Sequence, residues 1–443
     1  MREKKAEEII ELLQSADKEA INDFVNHVHP ADVLEAVIGR GDIHDLLNGL
    51  PKSFVAEIIE EADEEEQIKI LQQFTNGEKS EILNSMASDD VADLIDELAG
   101  DRKSYVIGLL DGETRKDVEK LLTYDSETAG GIMTTEFLAI YEDKTIESAL
   151  KYIRSETDAE TTYYLYVIDR EYHLRGVVTL RDIVSNELTT LIKDIMNPNV
   201  ISVHYNEDQE EVSRTFEKYG FMLMPVIDDE NRMIGVITVD DILEIMIEET
   251  TEDIHRMAGI NKEEKVDGSV SDSIRSRLPW LIVNLATALL ASAVIDLFSD
   301  TISKIVALSA VMTIISGMGG NAGTQTLTII VRGLSLGEVD RENAVRILIK
   351  EVLVGLATGI VIGVFVAGIA MFYEFNPLFG LVAAVAMMLN MLCASVAGYA
   401  IPILLEKLKI DPALASGVFV TTFTDVLGFF FFLGLATVAM PYL

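Results

Sequence analysis

The chain has 443 residues, more than one hydrophobic core usually serves, so two to four domains are expected. Of its 73 acidic and 35 basic residues, 62 and 26 fall in the first 270 positions, so nearly all of the net charge of −38 belongs to the N-terminal part. Such a field repels nucleic acid and attracts cations, so no nucleic-acid partner is expected. The single cysteine, Cys393, excludes a disulfide framework.

Residues 1–130 have apolar positions at helical spacing between charged faces, which predicts an all-α domain. Three passages, at 29–37, 50–58 and 86–94, resemble one another. Each places Pro, Ser or Asp near a helix start, followed by an apolar face. The pattern predicts a stack of short helical repeats.

Residues 131–242 contain two copies of a strand–helix–strand–strand–helix pattern. Met133 and Met196 open the copies, and Thr-x-x-Asp motifs close them. The repeat resembles a tandem pair of CBS domains, an α+β module whose cleft often takes an adenine nucleotide. The resemblance implies that ATP could bind here, its ribose contacting Thr179, Asp182, Thr238 and Asp241. Thr-x-x-Asp before an apolar helix is also an N-cap arrangement, so both interpretations stay open.

Residues 243–270 read as a charged helix that connects the second CBS copy to the first membrane-length run. Glu244, Glu248 and Glu252 lie on one stripe at i, i+4 spacing, where like charges destabilise a helix. We expect this stripe either to meet a cation or to be a solvated face.

From 271 to 443 the sequence predicts an α-helical transmembrane domain, because five apolar runs can each cross a core about 30 Å thick. They are Leu278–Phe298, Ile305–Val331, Ile347–Tyr373, Pro377–Leu405 and Ala413–Tyr442. Basic residues in short loops fall mainly on one side: Arg275, Arg277, Arg332, Arg341, Arg346, Lys350, Lys407 and Lys409, against Lys304 alone on the other. The bias predicts a multi-pass protein of the cell membrane, with a cytoplasmic N-terminal part and an external C-terminus. Because five spans are few for an enclosed pathway, we expect a homodimer in lipid.

Asp425 lies in the last run, with apolar residues, Gly and Thr on both sides for more than two helical turns. A carboxylate at membrane depth costs about 2.5–3.5 kcal/mol even on insertion scales, so it persists where it faces water, an ion or a partner. Asp425 is therefore a candidate functional residue. The alternative is a protonated or lysine-paired aspartate that holds helices together.

The second run contains GMGGNAGTQ, from Gly317 to Gln325. Dense glycines can break a helix and expose carbonyls, whereas the alternative is ordinary packing of small residues. The membrane part offers carboxylate, amide, hydroxyl and carbonyl oxygens and has no histidine after His255. Oxygen ligands favour Mg²⁺ or Ca²⁺ over copper or zinc.

The order of parts, with YDSETAGGIMT before the CBS pair and GGNAGTQ and TTFTDVLG in the spans, resembles the MgtE family of bacterial magnesium channels and transporters. The resemblance implies a homodimer with an axial pore, a cytosolic Mg²⁺ sensor and a connecting helix that acts as a plug. The implied pore residues are Gly319, Gly320, Asn321, Gly323 and Asp425. The implied sensor carboxylates are Asp89, Asp90, Asp93, Asp240, Asp241, Glu244, Glu249, Glu252 and Asp253. Gly417 stands where an asparagine is common in the family.

The function that follows is Mg²⁺ uptake through a pore that cytosolic Mg²⁺ closes. Without Mg²⁺ the carboxylates repel, and with Mg²⁺ bridging them a compact form holds the plug shut. Two alternatives remain: a proton-coupled or sodium-coupled exchanger of divalent cations, and a CBS nucleotide sensor that regulates a separate membrane partner. An enzyme is not expected, because no nucleophile–base set or phosphate loop is present.

Overall fold

The computed structural model describes residues 2–15, 18–155, 163–261, 264, 266, 268–340, 342–374, 376–414 and 416–442. They form two compact units, Met1–Ile245 and Met246–Leu443. The finer division into four segments drawn from the sequence stays a prediction. Arg341, one of the basic residues used to predict orientation, lies outside the described residues.

The first unit begins with short helices, as the sequence predicted. They are α1 (Arg2–Ser15), α2 (Lys18–His27), α3 (Pro30–Val37), α4 (Ile43–Leu47), α5 (Lys52–Glu60), α6 (Glu64–Gln72), α7 (Asn76–Leu83), α8 (Ser88–Asp96), α9 (Asp101–Ile107) and α10 (Gly112–Leu121). The three similar passages begin α3, α5 and α8. Ala87, the N-cap of α8, has no capping side chain, and its backbone N–H instead donates to Glu60 Oε1 on α5 at 2.7 Å.

The CBS pair follows in the predicted order. The first copy comprises β1 (Ala139–Tyr141), α11 (Ile146–Ser155), β2 (Tyr164–Ile168), β3 (Leu174–Thr179) and α12 (Leu180–Ser185), and α13 (Ile192–Ile195) leads to the second copy. The second copy comprises β4 (Val203–His204), α14 (Gln209–Tyr219), β5 (Leu223–Ile227), β6 (Met233–Thr238) and α15 (Val239–Met257). In each sheet the first strand is parallel to the second, and the second is antiparallel to the third.

The opening methionines join the two copies. Met133 packs on Gly235 of β6, where a Cβ would lie 2.5 Å from its sulfur, and Met196 packs on Gly176 of β3, where a Cβ would lie 2.8 Å from its sulfur. Thr134 also pairs with Val236 in a backbone bridge. Each copy therefore packs its opening methionine against a glycine of the other copy.

The second unit contains the C-terminal part of α15 and the remaining helices. They are α16 (Val270–Leu297), α17 (Ser299–Lys304), α18 (Ala307–Ser335), α19 (Ala344–Glu374), α20 (Pro377–Lys407), α21 (Ser416–Ala439) and a 3-10 helix (Met440–Tyr442). A buried apolar cluster at the centre of this unit takes residues from α18, α19, α20 and α21, including Leu308, Val366, Phe379 and Phe432.

Four helices among the described residues are long and apolar enough to cross a membrane: α16, α19, α20 and the segment Gly417–Tyr442. The predicted second span is present as α18, a helix of 29 residues, but it is not one of the four. Its glycines, amides and threonines between 317 and 325 reduce its hydropathy. Five spans therefore stay a prediction.

Candidate cation sites

Asp425 lies near the middle of α21 and is half-buried. Its carboxylate Oδ1 accepts a hydrogen bond from the hydroxyl of Ser316 on α18. No lysine or arginine of the part of the chain that the structure describes forms an ion pair with it. The lysine-paired alternative therefore finds no support there, and the site offers oxygen atoms in an apolar surrounding.

The glycine motif of α18 does not interrupt the helix, which is continuous from Ala307 to Ser335. Gly319 and Gly323 are buried, and Cβ atoms on them would lie 2.1 Å from Asn390 Nδ2 and 2.4 Å from Val420 Cγ1. The helix break that the sequence allowed is absent, and these two glycines permit close packing on α20 and α21.

Two other motif residues lie nearer to Asp425 or to solvent. A Cβ on Gly320 would lie 3.9 Å from Thr424 Oγ1, beside Asp425 in sequence. Asn321 is exposed, and no hydrogen bond joins it to Asp425 among the described residues. The structure thus brings Asp425 together with Ser316 and places the glycine motif alongside, without joining Asn321 to the carboxylate.

A second group of carboxylates lies in the first unit, where α5, α8 and the start of α15 meet. We call Glu60, Asp89, Asp90, Asp93 and Asp241 the acidic cluster. Asp89 Oδ1 is buried and has no hydrogen-bond partner among the described residues. Asp240 is exposed, and its charge acts on both Asp89 and Asp241.

Burial raises the pKa of all five cluster members, and the charges of neighbouring carboxylates raise it further. The pKa of Asp90 rises to about 9, through burial first and then the charges of Asp89 and Glu60. The pKa of Glu60 rises to about 7 and that of Asp241 to about 6, in both cases mainly through burial. The cluster thus holds protons at neutral pH that a divalent cation could displace.

Two predicted sensor residues of this region are exposed: Asp93, which belongs to the cluster, and Glu244, which does not. Burial of its carboxyl group, followed by the charges of Asp89 and Glu64, raises the pKa of Asp93 well above its ordinary value, although the residue keeps contact with solvent. Glu244 is exposed, and partial burial followed by the charges of Glu64 and Asp63 raises its pKa. The three-dimensional arrangement therefore extends the predicted set toward α6.

The connecting helix α15 ends in the second unit with its acidic residues already paired. Arg256 forms ion pairs with Glu252 one turn before it and with Asp411 in the segment before α21. Asp253 Oδ2 accepts a hydrogen bond from Ser335 Oγ at 2.8 Å. Glu249 is half-buried on the same helix. The predicted carboxylates 252 and 253 thus meet a guanidinium and a hydroxyl.

The end of α15 also touches α21 directly. Gly259 has a φ of +71°, and Ile260 N donates to His255 O at 2.9 Å, a glycine-dependent way to end a helix. A Cβ on Gly417 would lie 2.8 Å from the carbonyl oxygen of Met257. The Met257 side chain packs on Leu327, Val331, Ala413 and Val420. The glycine at 417 permits this close approach.

The two Thr-x-x-Asp motifs of the CBS pair each join the threonine to the aspartate, and they differ in their surroundings. Thr179 and Asp182 form a reciprocal capping box, with Asp182 N donating to Thr179 Oγ1 at 3.2 Å. The Thr238 hydroxyl donates to Asp241, which belongs to the acidic cluster. A polyanionic nucleotide fits the first motif better, because the second is surrounded by carboxylates.

Two further features of the CBS pair are polar. Asp169, Glu171 and His173 place possible metal ligands within 4.8 Å of one another, but Asp169 already pairs with Arg175 at 2.7 Å. A cavity of about 390 Å³ lies beside this turn, lined in part by Arg175 and Asn231, and none of the predicted nucleotide residues line it.

Sequence reasoning missed Glu60, Ser316, Asn390 and Asp411. The sequence around Glu60 and around Asp411 is typical of exposed positions. Only the folded arrangement brings Glu60 to other carboxylates and Asp411 to Arg256. Ser316 immediately precedes the glycine motif, and Asn390 is an amide inside an apolar run. An isolated amide at membrane depth is a signal that could have identified Asn390.

Comparison with known proteins agrees with this arrangement. Residues 312–435 match a family model described as a divalent cation transporter, 26–127 match the MgtE intracellular N domain, and 129–188 and 192–248 each match the CBS domain. The class is therefore that of membrane transporters of divalent cations with an intracellular CBS module.

Two curated relatives narrow the assignment. The magnesium transporter MgtE of Thermus thermophilus is 34% identical over 444 residues, which cover 98% of each chain. The magnesium transporter MgtE of Enterococcus faecalis is 39% identical over 331 residues, covering 74% of this chain and 73% of that protein. The chain belongs to the MgtE family.

Solved structures resemble the N-terminal part. The soluble part of a magnesium transporter is 33% identical with a TM-score of 0.52, covering 56% of this chain and 99% of that one. The cytosolic domain of the Mg²⁺ channel MgtE in complex with ATP is 36% identical with a TM-score of 0.50, covering 54% and 99%.

Proposed function

We propose that the protein transports Mg²⁺ across the cell membrane. The observation that carries this proposal is the half-buried carboxylate of Asp425, which has a hydroxyl partner and apolar neighbours. Mg²⁺ keeps much of its water shell in proteins, so one carboxylate with hydroxyl and carbonyl oxygens nearby suits a hydrated ion. The two curated relatives are magnesium transporters, which supports Mg²⁺ as the substrate.

Two copies of the chain form the pathway in this proposal. A two-fold axis brings two Asp425 carboxylates toward one ion and makes a closed interface from identical surfaces. The exposed apolar side chains of α16 and α19, such as Leu281, Leu289, Val364 and Phe365, face lipid or the second copy. The N-terminal unit lies in the cytoplasm and the C-terminus outside, as the basic loops indicate.

The acidic cluster supports a sensor function. Carboxylates that raise one another's pKa are destabilised when all are ionised, and a divalent cation bound among them relieves that repulsion. Asp89 Oδ1, buried without a partner among the described residues, is an available ligand atom. Cytosolic Mg²⁺ therefore stabilises the compact arrangement of the helical repeats and the CBS pair and closes the pathway.

The end of α15 supports its function as the plug. Met257 lies among residues of α18 and α21 and of the segment before α21, and Arg256 ties the helix to Asp411. A helix held at the end of the spans in this way can obstruct an ion pathway.

ATP or another adenine nucleotide binds the Thr179–Asp182 motif in this proposal. The ATP complex of a related cytosolic domain supports nucleotide binding in this part of the chain.

Reconstituted full-length protein tests the transport proposal. We expect Mg²⁺ to enter liposomes under a Mg²⁺ gradient and a membrane potential, with measurable current and without a proton or sodium gradient. Asp425→Asn keeps the shape but removes the charge, and should lower the flux at least about tenfold. Asp300→Asn, at an exposed position of the same unit, is the matched control. Normal flux through Asp425→Asn contradicts the proposal, and electroneutral flux driven by pH indicates an exchanger.

A quadruple variant tests gating. Replacing Asp240, Asp241, Glu252 and Asp253 with alanine should leave conduction insensitive to internal Mg²⁺. A control variant removes four exposed carboxylates of the first unit instead, at Glu97, Asp101, Glu113 and Glu119. Unchanged inhibition in the first variant counts against the sensor.

Gly417→Ala tests the plug separately. The added Cβ would lie 2.8 Å from the Met257 carbonyl, a separation that side chains essentially never show, so α15 has to shift. We expect inhibition to need about three- to tenfold more internal Mg²⁺, which corresponds to a modest packing strain. Gly368→Ala, where nothing lies within 4 Å, is the control. Equal inhibition curves for both variants would contradict the docking of α15.

A further inference from the structure

Asn390 is a residue with a buried side-chain amide in the middle of α20, and it has no part in the transport function proposed above. Its side chain is fully buried, with 0% exposure. It fills a slot between α18 and α21 made by two glycines. A Cβ on Gly319 would lie 2.1 Å from Asn390 Nδ2, and one on Gly428 would lie 2.8 Å from the same atom. A side chain on either glycine would displace the amide.

The amide makes one directed contact in this slot. Asn390 Nδ2 donates to the backbone carbonyl of Ile315 at 2.8 Å, whereas its Oδ1 is buried without a partner among the residues described. An unpaired buried acceptor is unfavourable, and leucine would fill a similar volume without one. The donor bond to Ile315 is therefore what the amide supplies beyond packing.

That bond acts one peptide away from the Asp425 site. The Ile315 carbonyl belongs to the peptide that joins Ile315 to Ser316, and Ser316 Oγ donates to Asp425 Oδ1. A continuous path of hydrogen bonds and one peptide thus runs from α20 through α18 to α21. Rotation or axial shift of α18 would move the Ser316 hydroxyl away from the carboxylate.

We propose that Asn390 is a positioning residue for ion transport: its amide fixes the Ile315–Ser316 peptide so that the Ser316 hydroxyl orients the Asp425 carboxylate toward the ion. The inference rests on the proposed function of Asp425 and assigns two residues to it. Ser316 holds the carboxylate, and Asn390 holds Ser316. Gly319 and Gly428 provide the space.

Mg²⁺ flux through the full-length protein in liposomes tests the proposal. Ser316→Ala and Asn390→Leu should each lower the flux about three- to tenfold, the range for one lost hydrogen bond. Because both act on the same contact, the double variant should be no slower than the slower single variant. Both single variants should also change the ratio of Mg²⁺ to Co²⁺ flux in the same direction, which a loss of folded protein cannot do.

Three controls separate the outcomes. Ser395→Ala removes another buried polar group of α20, one that faces Gly355 of α19 instead, and should keep both flux and ion ratio. If Asn390→Leu does not fold, Asn390→Ser replaces it, because serine is too short to reach Ile315. Multiplying effects in the double variant, or an unchanged ion ratio in Asn390→Leu, overturns the positioning function. If Asp425→Asn in the same liposomes transports normally, the proposed function itself fails.

Discussion

Two sets of carboxylates, one in each unit of the molecule, are held in opposite ways. In the first unit, Glu60, Asp89, Asp90, Asp93 and Asp241 lie among one another, and their strongest electrostatic neighbours within the described ranges are other carboxylates. In the second unit, three of the described basic residues form ion pairs with four carboxylates. Arg256 serves Glu252 and Asp411, Lys350 serves Glu351, and Arg277 serves Glu264.

The difference indicates which carboxylates can respond to a cation. A paired carboxylate gains little from Mg²⁺ because the ion must displace a guanidinium or ammonium. A crowded, unpaired set gains both attraction and relief from repulsion. Asp425 lies between these cases, since its partner is a neutral hydroxyl that leaves its charge uncompensated. The comparison therefore separates the proposed cation sensor, the ion-paired carboxylates of the second unit and the proposed transport site.

The largest effect on stability is expected at Asp90. Asp90→Asn removes a carboxyl group whose pKa the fold raises to about 9. Because protonating that group in the folded state costs free energy near neutral pH, the Mg²⁺-free first unit of the variant should be more stable by on the order of 2–4 kcal/mol. Hydrogen exchange of α5 and α8 in the full-length protein measures this. Asp101→Asn, exposed in the first turn of α9, controls for the loss of a helix-terminal charge. Faster exchange in Asp90→Asn than in the control would contradict the crowding.

A second effect is expected from pH, through the same raised pKa values. Because the pKa values of Glu60, Asp90 and Asp241 are raised by folding, to about 7, 9 and 6, the protonated cluster is favoured at low pH and stability falls as pH rises. The loss begins near the unfolded pKa values, about 4, and is complete above the folded ones. Protection of α8 without Mg²⁺, corrected for intrinsic exchange rates, should decline between about pH 5 and 8.

Mg²⁺ should oppose this decline. The ion competes with protons for the same oxygens, so its stabilising effect grows with pH and its binding releases protons. Proton release on adding Mg²⁺ to lightly buffered full-length protein checks this. The reference is the control variant that lacks the carboxylates of Glu97, Asp101, Glu113 and Glu119. A Mg²⁺ effect that is largest at low pH would exclude the acidic cluster as the binding site.

The smallest effect is expected at Arg256. Arg256→Gln leaves Glu252 and Asp411 facing each other without the guanidinium, which converts a paired site into a crowded one. The end of α15 should lose about 1 kcal/mol or less of protection without Mg²⁺ and regain it when Mg²⁺ is added. Arg275→Gln, exposed near the start of α16, is the control. If Mg²⁺ restored nothing at Arg256→Gln, pairing would not be what distinguishes the two units.

Much of the architecture follows from local sequence. Helical periodicity and the Thr-x-x-Asp repeats predict the helical domain and both CBS copies because hydrophobic spacing and N-caps act within a few residues. The prediction that Asp425 is a functional residue also follows from its neighbours in sequence alone. Gly319 was predicted to help form a pore, and the structure gives it a packing contact with Asn390, a partner 71 positions later in the chain.

The remaining site residues depend on tertiary contacts. Glu60 joins the cluster because α5 packs beside the start of α8, where its carboxylate accepts from Ala87 N. Asp411 matters because Arg256 reaches it across 155 positions of sequence. Contacts between residues this far apart in the chain leave no periodic pattern in the sequence. Glu252 looked like a metal ligand from its acidic stripe, but the stripe does not reveal that Arg256, four residues later, also pairs with it.

The most direct test of the central claim is to record Mg²⁺ current while varying the Mg²⁺ concentration on the side of the membrane that carries the first unit. Wild-type protein should conduct at low Mg²⁺ and close as Mg²⁺ rises. Protein with Asp89→Asn, Asp90→Asn and Asp241→Asn should conduct equally well at low Mg²⁺ and stay open at high Mg²⁺, because Asp425 is intact while the crowded carboxylates are gone. Identical closure of the two proteins would contradict the account.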